Sequence, residues 1–235
     1  MKFLSAEWRD LIVVNYEIDP AVLESRIPAG TELDLWDGKA FVSLVAFMFL
    51  NTRLLGLPIP FHQTFEEINL RFYLRCRAPE GWRRGVCFVK ELVPRRAIAA
   101  VARGVYNENY FAVPMSHTFS QSSGQRDLEY SWREAGGRHS VSASINGAPQ
   151  ELAPESFNKF ILEHYWGYTR QRNGSTIEYR VEHPRWRVWT PQQMEVKCDV
   201  RAVYGAEFVE VLGREPASAI VAEGSQVVVY SGKGI

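Results

Sequence analysis

The sequence predicts a β-rich α+β fold: an antiparallel sheet closed, or nearly closed, into a barrel, with about three short helices packed on it. Segments of alternating or β-branched character recur along the whole chain. Many are separated by Gly, Pro, Asn or Asp at hairpin spacing. Only three stretches carry a helix signature. Ten or so strands in that arrangement hide their edges best by closing on themselves.

The elements follow in order. Strands are expected at 11–17, 40–49, 64–75, 85–92, 116–122, 128–133, 139–145, 175–182, 195–204, 207–212 and 226–231. Asp37-Gly38 and Asn173-Gly174 are hairpin turns, because both residue types tolerate positive φ. Asp19-Pro20 supplies a cap and a first-turn proline for a short helix through Arg26. The Ala-rich stretch 95–106 is a good helix former. Residues 154–165 place Phe157, Phe160, Ile161 and His164 on one face, which must dock on the sheet. No convincing linker interrupts residues 1–235, so a single domain is expected.

Composition narrows the function. The 235 residues carry 27 basic and 27 acidic side chains, with 46% apolar and 23% charged residues. That balance argues against a nucleic-acid or anionic-membrane partner, since both require a concentrated basic surface. The basic residues are 21 Arg and six Lys, and Arg forks suit small carboxylates and phosphates. Three cysteines with no CxxC imply neither disulfides nor zinc, and a reducing cytoplasm. The N-terminus is too charged for a signal peptide, and the longest apolar run, Leu44 to Leu50, is too short for a membrane span.

Three constellations can carry chemistry. In 64–75, Ile68, Leu70, Phe72 and Leu74 form one strand face, and Glu67, Asn69, Arg71, Tyr73 and Arg75 the other. The polar face is either a solvated exterior with paired charges or the lining of a cavity. In the second case Glu67 serves as acid or base and Arg71 grips a carboxylate at two points. The loop 107–117 combines Tyr110, Met115 and a lone His117, more often a structural residue than a catalyst. The clusters 163–170 and 182–189 have the density of aromatics and His found in small-molecule sites, and equally in cores. GxGxxG, Walker A, GxSxG, HExxH and calcium-loop patterns are missing, so no cofactor or metal is expected.

Trp8, Asn15-Tyr16, Ile27-Pro28, Trp36-Asp37-Gly38-Lys39-Ala40-Phe41-Val42, Phe65-Glu66-Glu67-Ile68-Asn69-Leu70-Arg71-Phe72-Tyr73, Gly85-Val86-Cys87-Phe88 and His183-Pro184-Arg185-Trp186 together resemble the YqjF-like family, a domain of unknown function, over nearly the whole chain. The resemblance implies an acetoacetate decarboxylase-like fold, a β-rich cone-like barrel with a few helices. Enzymes of that superfamily hold a glutamate on a mid-chain strand and a Schiff-base lysine after a short helix. In acetoacetate decarboxylase itself, desolvation or a neighbouring cation makes such an amine nucleophilic. By the resemblance, Glu66 or Glu67 matches the glutamate, Pro114 the proline before the lysines, and Met115 and Ser116 the lysine positions. A thioether and a hydroxyl form no imine, so Schiff-base decarboxylation is not expected there.

The expected function is therefore binding, or non-Schiff-base conversion, of a small anionic organic ligand in a barrel pocket. Glu67, Asn69, Arg71, Tyr73, Tyr110, Met115 and His117 are the candidate ligand-binding residues, and Glu67, His117 and Lys90 the candidate catalytic ones. One rival is a lyase using Lys90, which alternation places on a strand face with Val86, Phe88 and Leu92. The other is an interaction protein whose interior is filled by its own aromatics. A homo-oligomer fits the aromatic content and the superfamily.

Overall fold

The structure, a computed structural model, describes the backbone of all 235 residues and the side chains of all but Val101, Ala102, Val105 and Tyr106. β1 (Lys2–Ile18) ends at Asp19, whose carboxylate accepts a hydrogen bond from the Ala21 amide at 2.9 Å and caps α1 (Pro20–Leu23). β2 (Thr31–Leu33) leads to the Asp37-Gly38 turn, where φ is +48° and +76° and Trp36 and Lys39 exchange both backbone hydrogen bonds. β3 (Ala40–Leu54), β4 (Leu57–Pro58), β5 (Phe65–Ala78) and β6 (Gly81–Val93) come next. α2 (Arg96–Tyr106), β7 (Tyr110–Ala112), β8 (Met115–Ser122), β9 (Gln125–Glu134) and β10 (Gly137–Asn146) carry the chain to its middle. α3 (Phe157–Leu162), β11 (Trp166–Arg170), β12 (Thr176–Glu182), β13 (Val188–Trp189), β14 (Gln193–Lys197), α4 (Val200–Val203), α5 (Val209–Leu212), β15 (Ser218–Tyr230) and β16 (Lys233–Gly234) complete it.

The larger sheet has the order β13-β15-β1-β3-β5-β6-β11-β12-β16, and β12 pairs with β15 as well. That extra pairing, Val181 with Val229 and Glu182 with Val228, joins the two ends into a ring of β15, β1, β3, β5, β6, β11 and β12. The ring is not wholly antiparallel as the sequence predicts: β6 lies parallel to β7 and to β11. Both contacts follow crossovers, through α2 for β7 and through the second sheet and α3 for β11, as parallel pairing requires.

That second sheet, β14-β10-β9-β8, lies against the outer face of the ring. Leu128, Tyr130, Trp132, Val141, Ala143 and Ile145 share a core with Ile12, Leu44, Ile68, Leu70 and Phe72. The inner face of the ring makes another core, in which Val13, Val45, Phe47, Phe65 and Tyr73 meet Phe160 and Ile161 of α3. Successive residues of one strand thus serve different cores, which is why β3 is buried without interruption from Ala40 to Phe49.

Two expected strands are replaced. Only 195–197 of the 195–204 region is extended, as the end of β14; Asp199 then accepts from the Ala202 amide at 3.1 Å and starts α4. The 207–212 segment is a 3-10 turn followed by α5. A side-chain cap and the turn at Gly205 (φ +111°) override the β propensity of these valines. The helix expected over 154–165 is shorter, because its cap is Ser156 and Trp166 already belongs to a strand.

One irregularity bears on the site. Along β5 and β6, Leu70 pairs with Lys90 but Arg71 pairs with Phe88, so Val89 is an extra residue in its strand. Val86 and Phe88 belong to the inner core, whereas Val89 and Leu92 belong to the outer one. Lys90 therefore does not share a face with Val86 and Phe88, as strict alternation predicts. It points outward to an ion pair with Glu134 of β9 and donates to the Val203 carbonyl at 2.7 Å.

Candidate functional site

A cavity of about 280 Å³ occupies the ring, and all seven of its strands contribute to the wall. α2 adds Ala97 and Ile98. Most lining side chains are apolar, among them Trp8, Phe47, Phe49, Phe65, Phe88 and Trp186. This is the form of a small-molecule site, a largely apolar hollow with a few placed polar groups.

The polar face of β5 turns inward. Glu67, Asn69 and Arg71 line the cavity, and Glu67 and Asn69 are buried. The bulge at Val89 brings Glu91 to the same side, opposite Asn69. The loop after α2 brings two more groups. Asn107, left-handed at φ +56°, ends the helix, and two residues later the Asn109 carbonyl accepts from the Glu91 amide at 3.0 Å. The Asn109 side-chain amide donates to the carbonyl of the bulged Val89 at 2.6 Å, satisfying a group the irregular ladder leaves over. Glu108 and Tyr110 on either side of Asn109 then face the cavity.

The result is a cluster of three buried carboxyls with two phenols. Tyr110 donates to Glu67 at 2.9 Å, as does Asn69 at 3.0 Å. Thr169 and Tyr179 donate to Glu108, the latter at 2.9 Å. Burial raises the Glu67 and Glu108 carboxyls to about 7. Burial also pushes Glu91 well above the carboxylate range, and the charges of Glu108 and Glu67 push it further. One Glu91 oxygen, Oε2, is buried without a hydrogen-bond partner. Near pH 7 the cluster therefore holds protons, and its members can donate hydrogen bonds as well as accept them. Among the described residues, no group of three or more His, Cys, Asp or Glu is arranged to hold a metal ion.

Arg71 is the cation of this region. Among the described residues no ion pair engages it, and its buried Nε has no hydrogen-bond partner. Its guanidinium lies 5.9 Å from the Tyr73 ring. The Tyr73 ring packs in turn against His164, whose Nε2 lies 3.1 Å from Asp34 Oδ2, an oxygen that also accepts from Arg84 at 2.6 Å. Burial presses the His164 imidazole down to about 4, so it is neutral at pH 7, with Nδ1 unpartnered.

Of the residues the sequence singles out, Glu67, Asn69, Arg71 and Tyr110 line this cavity together. Tyr73 faces inward but packs under the wall, its hydroxyl 2.5 Å from Ser43 Oγ and its ring against His164. Met115 and His117 do not reach the cavity. Pro114 ends the path along β6, and β8 then runs in the outer sheet, where Met115 packs on the outer core and His117 lies 2.6 Å from Glu66. Lys90 is outside the ring. Among the described residues, no lysine lines the cavity. The clusters at 163–170 and 182–189 contribute His164, Trp166, Gly167, His183 and Trp186 to the wall. Glu91, Glu108 and Tyr179 are site residues that the sequence does not mark. Glu108 sits in a loop whose aromatics are the stronger signal, Glu91 is hidden by the bulge, and Tyr179 carries no local signal.

Comparison with known proteins adds the family to this geometry. "Uncharacterized protein YqjF" of Bacillus subtilis (strain 168) is 27% identical over 212 residues, which is 89% of this chain and 83% of that protein. Acetoacetate decarboxylase from Legionella pneumophila superposes with a TM-score of 0.69 at 12% identity, covering 99% of this chain and 87% of its own. The enduracididine biosynthesis enzyme MppR, solved with pyruvate, gives 0.69 at 13%, covering 100% and 90%. An acetoacetate decarboxylase-like enzyme from Sphingomonas wittichii RW1 gives 0.66 at 13%, covering 100% and 93%. At such identities the likeness shows the fold, which is acetoacetate decarboxylase-like. A family model for an uncharacterised conserved protein, domain of unknown function 2071, matches residues 5–231, and the chain belongs to that family.

Proposed function

We propose that the cavity binds a small organic acid, with Arg71 holding its carboxylate and Glu67 placed to give or take a proton. The observation that carries this reading is Arg71: a guanidinium on the cavity wall, engaged in no ion pair among the described residues, beside a carboxyl that burial holds at about 7. A carboxylate ligand supplies the two-point partner that a guanidinium fork favours. The proton-holding glutamates do not repel such a ligand as three ionised carboxylates do; Glu91, whose Oε2 has no partner, can donate to its oxygens. A group poised near neutrality suits proton transfer in either direction. The neighbour solved with pyruvate supports an organic acid as the ligand class.

The reading takes no imine step. Among the described residues no lysine lines the cavity, and Lys90, the amine that alternation offers, is held outside the ring by Glu134 and the Val203 carbonyl. The rival in which aromatics fill the interior is disfavoured by a cavity of about 280 Å³.

A thermal-shift screen of carboxylic and keto acids tests the proposal. A binder at about a hundred times its Kd adds roughly 2.7 kcal/mol of apparent stability. The shift is expected to vanish in Arg71→Gln. A shift of equal size in that variant would remove Arg71 as the anchor.

A further inference from the structure

The cavity is chemically graded along its length. Strand register orders its wall: Asn69 pairs with Val45 and with Glu91, Glu67 with Phe47, Phe65 with Phe49, Trp8 with Phe49, and Leu4 with Leu54. Arg71, Asn69 and Glu67 thus follow one another at one end of the cavity, opposite Ser43, Val45 and Phe47 of β3, with Glu91 opposite Asn69 and Tyr110 on Glu67. Moving along β3 from Val45 to Leu54, nine residues and at most about 30 Å because the left-handed Asn51 (φ +53°) breaks the extended run, the lining changes to Phe47, Phe49, Phe65, Trp8, Leu4, Leu54 and Ile59. At the far level the lining side chains Phe3, Leu4, Leu54, Ile59 and His62 are half-buried, whereas Glu67, Asn69, Glu91 and Glu108 are buried. Thr52 and His62 are the polar groups there. A three-carbon acid seated on Arg71 leaves this apolar length uncovered, and the volume approaches the lower bound of sites for drug-sized ligands, roughly 300 Å³.

We infer that the ligand of this site is an amphiphilic carboxylic acid, its head on Arg71 and an extended apolar tail lying along Phe47, Phe49, Phe65 and Trp8 toward Leu54. The inference rests on the anchoring role of Arg71 proposed above and adds the tail. Apolar burial sets its size: each methylene taken from water into the hollow tightens binding about fourfold, until the tail reaches the half-buried end at Leu54 and Ile59.

Titration calorimetry with butyrate, octanoate and octanol, all below their aggregation concentrations, tests it on the intact chain. Octanoate is expected to bind about two hundredfold more tightly than butyrate, the product of four such methylene steps. Phe49→Ala is expected to lower the affinity ratio of octanoate to butyrate, whereas Leu54→Gln, beyond the reach of an eight-carbon chain, is expected to leave that ratio unchanged. Arg71→Gln is expected to weaken butyrate and octanoate by the same factor. Equal affinity for butyrate and octanoate would overturn the tail and leave the small-acid reading standing. Octanol binding as tightly as octanoate, with Arg71→Gln silent, would instead overturn the anchor on which both readings rest.

Discussion

At the scale of single residues, the carboxyls inside the ring set a pH dependence of unusual sign. Most acidic groups in folded proteins lose protons more readily than in the unfolded chain; Glu67 and Glu108 do the reverse, with folded values near 7 against 4.5. The folded state then binds more protons than the unfolded state between those values. The stability these groups contribute is complete below about pH 4.5 and is lost as pH rises through about 7. His164, held at about 4 by burial, acts oppositely and costs stability as pH falls from 6.5 toward 4. Glu67→Gln removes one titrating carboxyl and retains the shape. In urea unfolding, the decline in stability from pH 5 to pH 8 is expected to shrink by about 2 kcal/mol in this variant, at 1.4 kcal/mol per pKa unit. An unchanged pH slope would show that Glu67 does not hold a proton in the native state.

At the scale of elements, the bulge in β6 and the loop after α2 form one unit. Asn109 closes the carbonyl of Val89 with its side chain and receives the Glu91 amide at its own carbonyl, so the segment carrying Glu108 and Tyr110 is fixed to the strand carrying Glu91. Asn109→Ala is expected to cost about 1–3 kcal/mol, the range for leaving a polar group without its partner. Acid binding should weaken with it, because two wall groups lose their support; a variant of lower stability but undiminished affinity would separate the two effects. This unit also marks the limit of what the sequence discloses. Most strands and the division of β5 into an apolar and a polar face are legible, because alternation from Ile68 to Leu74 is regular and the Asp37-Gly38 turn carries its own chemistry; which face turns inward is decided only by ring closure. Lys90 is misread and Glu91 missed because one inserted residue shifts alternation, and nothing in the run Val86 to Leu92 marks which residue is inserted. Met115 and His117 are misread because proximity along the chain to Tyr110 does not survive the passage at Pro114 into another sheet.

At the scale of the whole molecule, the two sheets are tied by a common core and by polar links. Trp132 and Tyr130 of β9 are fully buried against the ring, the Tyr130 hydroxyl donates to the Asp10 carbonyl at 2.8 Å, and Lys90 pairs with Glu134. Neither sheet can bury its apolar face alone. We expect ring and outer sheet to unfold together, as one domain, with tryptophan fluorescence and far-ultraviolet dichroism tracing the same urea transition. Trp132→Ala should lower its midpoint by an amount equivalent to about 3–5 kcal/mol. Two resolved transitions would show instead that the outer sheet is an independent unit.

The extra residue at Val89 has a further consequence for anyone re-engineering this interior. Its position, rather than the amino acids around it, decides whether an acid or an amine is enclosed. Sliding the insertion two places toward the C-terminus would return Lys90 to the side of Phe88 and expel Glu91, exchanging the sign of the enclosed group without altering composition. The enclosed amine would sit opposite Asn69, beside the Glu67 and Glu108 carboxyls that stay in place, in a hollow whose desolvation favours a nucleophilic lysine. A vessel lined by three acids and one that encloses an amine beside two of them are thus neighbours in design space, separated by a change of register.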